Sequence, residues 1–209
     1  MIIVEVFNMP QEIEITEELD NRLIITTTHG EDRDFELING VEVEVAKPKW
    51  FHNFVLVAIC NILSNFIKQN KLKNKVMLDG IAVYVDEESE PEPDLVLIED
   101  KSKLDGGVYR GVPELVVEVT SPSTIRRDLN EKSEMYAKLG VPEYWTIQPV
   151  EKIITAWYNV SGVFKVNAVY QLPPENPKLT DEGEYLTQIQ TRYYGDKLTL
   201  DLYEIFYDI

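Results

Sequence analysis

The stretch that decides the fold begins at Pro93 and ends at Gln148. It contains Pro93-Asp94-Leu95-Val96-Leu97 and, further along, Val116-Val117-Glu118-Val119-Thr120-Ser121-Pro122-Ser123. Both apolar runs are typical of central strands that are covered on both faces. An acidic residue precedes the first run and another interrupts the second, where burial of an unpaired carboxylate would be costly. The stretch therefore predicts two buried strands that each carry one carboxylate.

Two carboxylates at neighbouring strand ends can bind a hard divalent ion. Mg²⁺ suits such a site, because it is commonly held by one or two carboxylates together with substrate phosphate oxygens. An ion held by Asp94 and Glu118 would favour hydrolysis of a phosphodiester. Each residue also has a simpler interpretation, since Asp94 follows a proline as turn residues do and Glu118 suits a strand position that faces water.

A helix is predicted after the Pro122-Ser123 break, capped by Ser123 or Thr124 and closed near Leu139 by Gly140. Asp128, Lys132 and Tyr136 follow one another at i, i+4 spacing and share one face of this helix. Lys132 is then the candidate for electrostatic stabilisation of a phosphate or for activation of a water molecule. A surface ion pair between Asp128 and Lys132 is the alternative, with the core-facing stripe formed by Leu129, Met135 and Leu139.

The rest of the pattern predicts an α/β fold with a central mixed β-sheet between two main helices and an N-terminal β-hairpin. The hairpin places 35–38 and 41–45 around Asn39-Gly40, the strongest short turn signal. A long amphipathic helix follows from Phe51 to about Asn70. Further strands are predicted at 81–85, 143–147, 153–158 and 164–170. Residues 1–32, which include a strand-like run at 23–28, are predicted to be an N-terminal extension to one domain at 33–209.

Composition restricts the class of protein. The chain of 209 residues has 44% hydrophobic and 27% charged residues, which is ordinary for a globular domain. A single cysteine, Cys60, excludes an internal disulfide, and we expect no membrane span and a cytoplasmic location. The net charge of −17 opposes binding to a phosphate backbone and weakens the case for DNA.

The order of motifs resembles the Uma-two family of restriction endonucleases, a bacterial branch of the PD-(D/E)XK nuclease superfamily. The resemblance rests on Pro93-Asp94, on residues 118–123, on Asp128, Lys132 and Tyr136, and on Gly140-Val141-Pro142-Glu143-Tyr144-Trp145. Upstream, the hairpin at 35–42 and His52 also resemble the family, so the resemblance covers roughly residues 33–205. It implies a restriction-endonuclease-like fold and Mg²⁺- or Mn²⁺-dependent hydrolysis of DNA.

The resemblance also implies roles for single residues. Asp94 corresponds to the aspartate of the PD half and Glu118 to the acidic residue of the other half, with the carbonyl of Val119 as a further metal ligand. The superfamily lysine is replaced by Thr120, and Lys132 fits a position to which the lysine has migrated. Related nucleases often dimerise to cut two strands, which implies a homodimer.

For residues that support the candidate site, the sequence signal is less specific. Glu36, Glu42 and Glu44 are candidates for an additional acidic group, and of these Glu42 is preferred, although exposed strand positions explain all three. His52 is expected near the cleft, while Tyr136 and Trp145 are expected to fill the core.

Two other functions remain open. The charge and the missing lysine at Thr120 favour a catalytically weak or inactive nuclease-fold protein that acts as a binding or assembly module. A phosphohydrolase of small nucleotides is a further possibility, because small substrates suit an acidic protein better than long DNA does.

Overall fold

The computed structural model describes residues 14–19, 22–26, 35–45, 48–78, 80–174, 185–207 and 209. The chain divides into two compact units, Met1–Arg33 and Asp34–Ile209. In the first unit, strands β1 (Glu14–Leu19) and β2 (Arg22–Thr26) form an antiparallel hairpin. The strand predicted at 23–28 is confirmed as β2 for the part that the structure describes, and residues 27 and 28 lie outside it.

The second unit opens with the predicted hairpin of β3 (Phe35–Ile38) and β4 (Val41–Glu44). Its turn residues both have positive φ, 50° at Asn39 and 75° at Gly40, which is the backbone of a two-residue hairpin turn. The backbone also joins this hairpin to a later loop, since Glu90 N donates to Leu37 O at 2.9 Å. The hairpin is thereby fixed beside the segment that leads to Asp94.

Helix α1 (Trp50–Gln69) is confirmed at nearly its predicted bounds. By length and composition it could cross a membrane, whereas the sequence led us to expect no membrane span. Five of its side chains are buried and pack in the core; they are Val55, Leu56, Ile59, Leu63 and Ile67. Core packing accounts for these positions, while Trp50, Phe54 and Val57 are exposed.

A six-stranded mixed sheet forms the centre of this unit. Its spatial order is β13-β12-β11-β10-β7-β5, and the β10–β11 pair is parallel while the other pairs are antiparallel. The six strands are β5 (Lys75–Leu78), β7 (Leu95–Ile98), β10 (Leu115–Val119), β11 (Glu143–Gln148), β12 (Ile153–Val160) and β13 (Val163–Gln171). Smaller sheets are formed by β6 (Ala82–Val83), β8 (Leu104–Asp105) and β9 (Val108–Tyr109), and by β14 (Gln188–Gln190) and β15 (Thr199–Asp201).

The second main helix is interrupted. Helix α2 (Ile125–Arg127) continues into a π-helical turn at Asp128–Lys132 and then into α3 (Ser133–Leu139), which ends at Gly140 with φ 97°. A short helix, α4 (Leu202–Ile205), follows β15. The predicted helix is therefore confirmed in extent, but its regular α-helical geometry is wrong at the one turn that carries Asp128 and Lys132.

Two apolar clusters cover the two faces of the sheet, one containing α1 and the other containing Tyr136 of α3. The predicted α/β architecture, with a mixed sheet between two main helices, is confirmed. The sequence pattern missed β5, an edge strand whose apolar residues are only partly buried. It also overextended the strand at 81–85, which is reduced to β6 and pairs with β9.

Candidate active site

The sheet register brings Asp94 and Glu118 together. Strands β7 and β10 are antiparallel, and the pair Leu95–Val117 is followed at this end by Asp94 and Glu118. Asp94 Oδ2 accepts a hydrogen bond of 2.6 Å from the backbone N–H of Val119. The two carboxylates therefore lie at one end of adjacent strands, as the sequence predicts.

Lys132 lies at the centre of the group. Its Nζ donates to Glu118 Oε1 at 3.1 Å, to Glu36 Oε2 at 2.7 Å and to the carbonyl of Glu92 at 3.0 Å. An ammonium group has three N–H donors, and here each has an acceptor. The side chain is only 6% exposed, so the amine is held in one place.

The π-helical turn presents the polar face of the helix to the sheet. Asp128 and Lys132 are buried, at 3% and 5% exposure, and the Tyr136 hydroxyl donates to Glu118 Oε1 at 3.0 Å. Leu129, predicted to face the core, is 39% exposed, because the inward positions are taken by these polar side chains. The interpretation of Asp128–Lys132 as a surface pair is wrong. A π-turn within a helix is frequent at functional sites.

Tyr136 and Trp145 are both buried, as expected for core aromatics. Tyr136 contacts the polar group as well as the core, through its hydroxyl. Tyr144 also contacts this region, since its hydroxyl donates to the backbone carbonyl of Asp128 at 2.9 Å. The rings of Tyr136 and Tyr144, which belong to the apolar cluster on this face of the sheet, thus contact the charged group from the core side.

The hairpin contributes Glu36 rather than Glu42. Glu36 is 4% exposed, and its Oε1 accepts from Arg127 Nη1 at 3.0 Å in addition to the bond with Lys132. Glu42 and Glu44 are exposed. The preference for Glu42 is corrected, because Glu36 and Ile38 alternate on the face of β3 that packs inward. That alternation was the available signal, but the sequence alone does not show which face is covered.

His52 lies on the first turn of α1 and contacts Asp94, with 3.2 Å between His52 Nε2 and Asp94 Oδ1. Its Nδ1 lies 3.3 Å from Asn53 Oδ1. Asp94 is therefore held from two sides, by the backbone of Val119 and by this imidazole. Thr120, where the superfamily has lysine, instead donates from its hydroxyl to the carbonyl of Ile147 at 3.1 Å.

Burial and charge set the protonation of the group. Burial raises the pKa of Glu118 well above its usual value, although the positive charge of Lys132 opposes this. Burial also raises the pKa of Asp128, to about 6, against the effects of Lys132 and of a hydrogen bond from Thr124. Burial alone would lower the pKa of Lys132, but Glu118 and Glu36 outweigh it and raise that pKa. Lys132 therefore stays charged at neutral pH.

The donors suit a divalent cation. Four carboxylates surround two cationic side chains, Lys132 and Arg127, which leaves an excess of negative charge when the acids are ionised; the carboxylates are Glu36, Asp94, Glu118 and Asp128. Within the described residues, no three His, Cys, Asp or Glu side chains are arranged to hold a metal ion by themselves. Mg²⁺ does not require three, because it retains several waters and binds substrate phosphate.

An open cleft of about 580 Å³ gives access to the group. Asp94, Glu118 and Lys132 line it together with His52, Glu36 and Asp128. Its wall also includes the loop after β10 and the turn after β11, at 120–125 and 148–151. The carboxylates are thus buried on the protein side and reachable from the cleft.

Comparison with known proteins defines the class. A family model described as Uma2, "Putative restriction endonuclease", matches residues 16–183, and the chain belongs to this family. One solved structure, described as "a putative nuclease belonging to DUF820 from Anabaena variabilis ATCC 29413", matches with a TM-score of 0.65 and 14% identity. The match covers 85% of this chain and 93% of that one, and it confirms the restriction-endonuclease-like fold. No curated protein sequence matches the chain significantly.

Proposed function

We propose that the chain is a divalent-metal-dependent endonuclease that hydrolyses phosphodiester bonds of DNA. One observation carries the proposal: Asp94, Glu118 and Lys132 come from separate parts of the chain and meet at the wall of one open cleft. Membership in a family of restriction-endonuclease type supports the reaction class.

The carboxylates of Asp94 and Glu118 are the proposed metal ligands, with the main-chain carbonyl of Val119 as a third. Hard oxygen donors favour Mg²⁺, with Mn²⁺ as a substitute. When bound, such an ion polarises a phosphoryl oxygen and lowers the pKa of a water molecule. His52 and the N–H of Val119 orient Asp94 for this task.

Lys132 is proposed to stabilise the negative charge that develops on the phosphate. Its raised pKa keeps the amine protonated, which suits electrostatic stabilisation and not proton abstraction. Glu36 and Arg127 act through it, since Glu36 binds both cations and fixes the position of the amine. Lys132 on the helix is thereby proposed to supply the positive charge that Thr120, after strand β10, does not carry.

Substrate binding has to overcome the net charge of −17. Among the described residues that line the cleft, Lys49 and Arg127 are the other Lys and Arg side chains, and Lys49 is exposed. We propose that these two side chains contact the backbone phosphates. Affinity for DNA should accordingly be modest and should decrease steeply with salt. A homodimer with two clefts is proposed for cutting both strands.

The direct test is cleavage of labelled DNA with Mg²⁺ or Mn²⁺. We expect Asp94→Ala, Glu118→Ala and Lys132→Ala each to reduce the rate at least about a hundredfold, because each removes a charged group at the reacting phosphate. Glu42→Ala is the matched control, an exposed acid of the same hairpin as Glu36, and it should cleave like the wild type. Cleavage that survives all three substitutions would overturn the assignment.

Calorimetric titration with Mn²⁺ distinguishes the enzyme from a nuclease-fold binding module, the alternative that the acidic charge favours. The enzyme should bind the ion, and Asp94→Ala should abolish the binding, whereas a module without chemistry need not bind a metal. Circular dichroism at the assay temperature must first show that the variants are folded.

A further inference from the structure

A second cavity, of about 790 Å³, lies at the same end of the sheet as the cleft. It is formed by the turn between β11 and β12, by the end of β13 and the two prolines that follow, and by α4 with the residues after it. Tyr185, Tyr203 and Tyr207 line it. We call this cavity the tyrosine groove.

The tyrosine groove adjoins the cleft. Val150 and Glu151, on the turn after β11, line both cavities. Val150 is 68% exposed, so the turn shared by the two cavities is accessible. A polymer whose reacting bond lies at Asp94 and Glu118, and which leaves the cleft past this turn, therefore meets the tyrosine groove next.

The exposed rings of the groove are suited to stacking. Tyr203 is 57% exposed and Tyr207 is 72% exposed, so both rings are accessible. Among the described residues that line the groove, the charged side chains are those of Glu151 and Lys152, one of each sign. This described lining does not form a cationic phosphate-binding track, and it offers flat π-surfaces instead.

Stacking between bases and aromatic side chains is tolerant of sequence and does not depend on neutralising phosphates. Such a surface gives an acidic protein a way to hold a nucleic acid that its net charge repels. Duplex DNA keeps its bases paired and stacked on each other, so only unpaired bases can use these rings.

We propose that the tyrosine groove binds unpaired bases of the strand whose phosphodiester lies in the cleft, so that substrates with a single-stranded stretch beside the reacting bond are preferred. The inference rests on the proposed function and narrows its substrate class. The occupant is a nucleic-acid strand, because the groove shares Val150 and Glu151 with a cleft that is proposed to hold phosphodiesters.

The test uses the full chain, in EDTA so that no cleavage occurs, and three fluorescein-labelled DNA hairpins. One is blunt, one carries a single-stranded thymine tail, and one carries an abasic tail of equal length and charge. We expect the thymine tail to bind about tenfold more tightly than the abasic tail, and this ratio to change little with salt.

The variants Tyr203→Ala and Tyr207→Ala should each reduce that ratio severalfold, while Tyr203→Phe should preserve it. Tyr193→Ala is the matched control, an exposed tyrosine that lines neither cavity. Both alanine variants replace exposed side chains, and thermal unfolding should show that they remain folded.

Equal binding of thymine and abasic tails would overturn the inference, as would wild-type ratios in both alanine variants; the groove would then serve another ligand, such as a peptide. Cleavage assays distinguish failure of the groove proposal from failure of the proposed nuclease function. Cleavage of blunt and tailed DNA at equal rates overturns the groove alone, whereas tail binding without any cleavage overturns the nuclease alone. Absence of all DNA binding overturns both.

Discussion

Two buried glutamates on neighbouring strands differ in what surrounds them. Glu118 on β10 is 3% exposed and Glu143 on β11 is fully buried. The two glutamates lie on opposite faces of the sheet. Val116, two residues before Glu118 and on the same face, belongs to the cluster with Tyr136. Trp145, two residues after Glu143 and on the same face, belongs to the cluster with α1. Burial raises the pKa of both carboxyl groups, that of Glu143 to about 7.

The hydrogen-bond and ion-pair partners of the two glutamates differ, and they distinguish the candidate site at Glu118 from the structural contact at Glu143. Glu143 accepts from Trp145 Nε1 at 2.8 Å and from the backbone N–H of Arg192 at 2.7 Å, so each carboxylate oxygen has a fixed donor. Glu118 shares its cation with Glu36 and lines the cleft. Burial of an acid therefore does not by itself distinguish a candidate site from a structural contact; the shared cation and the open cleft are what set Glu118 apart from Glu143.

The largest effect is expected when the shared cation is removed. Lys132→Met should reduce the free energy of unfolding by about 3–5 kcal/mol at pH 8, because Glu36 and Glu118 then lose their partner while they stay buried. The loss should be smaller at pH 5, because the raised pKa of Glu118 favours its neutral, protonated form as the pH falls. Urea denaturation at both pH values measures this. Lys138→Met, at an exposed pair with Glu134, should change stability by less than about 0.5 kcal/mol.

The next effect concerns the structural glutamate. Glu143→Ala should reduce the free energy of unfolding by about 2–4 kcal/mol, since it leaves the donors of Trp145 and Arg192 without an acceptor and creates a cavity. Cleavage per folded molecule should stay at the wild-type rate, because Glu143 does not line the cleft. A loss of cleavage comparable to that of Glu118→Ala would contradict the distinction between the two glutamates.

The smallest effect is a change in the pH dependence of stability. The folded state raises the pKa of Glu143 from 4.5 to about 7, so it binds this proton more tightly than the unfolded chain does. The stabilisation from Glu143 is then fully present below about pH 4.5 and is lost as the pH rises through 7. Glutamine does not titrate, but its NH2 group faces one of the two N–H donors, so Glu143→Gln carries a cost that does not depend on pH. Relative to wild type, the variant should gain about 2 kcal/mol between pH 5 and pH 8, as the wild type loses its contribution from the proton.

Urea midpoints at the two pH values measure this difference, and Glu42→Gln is the exposed control. Asp128 and Glu118 titrate in both proteins, so the comparison of wild type with Glu143→Gln isolates Glu143. A difference that does not change with pH would show that Glu143 is ionised throughout the range.

Much of the fold could be predicted because its signals are local. The Asn39-Gly40 turn, the helical period of α1 and the dense apolar runs of β7 and β10 each follow from a few adjacent residues. The predicted proximity of Asp94 and Glu118 also holds, because both flank or interrupt such runs. The pattern failed for β5, whose apolar run is only three residues long and follows a lysine-rich segment.

The candidate site was predictable in its list of residues and less so in its geometry. The choice of Glu42 over Glu36 was wrong, since alternation in a hairpin marks two faces but not which face is covered. The i, i+4 spacing placed Asp128 and Lys132 on one face, yet it equally suited a solvent-exposed pair. The sequence marks Glu143 only as part of a motif, and one of its two donors, the N–H of Arg192, lies 49 residues away.

The sequence by itself determined the strands, the helices, the hairpin turn and the order of acidic residues, because these depend on local conformational preference and hydrophobic period. Only the tertiary structure decided that Lys132 faces inward, that Glu36 binds Lys132 directly and also binds Arg127, 91 residues away, and that the cleft adjoins the tyrosine groove. Those features depend on which distant surfaces pack together. The physical reason is that burial and charge pairing belong to the assembled core and not to any single segment.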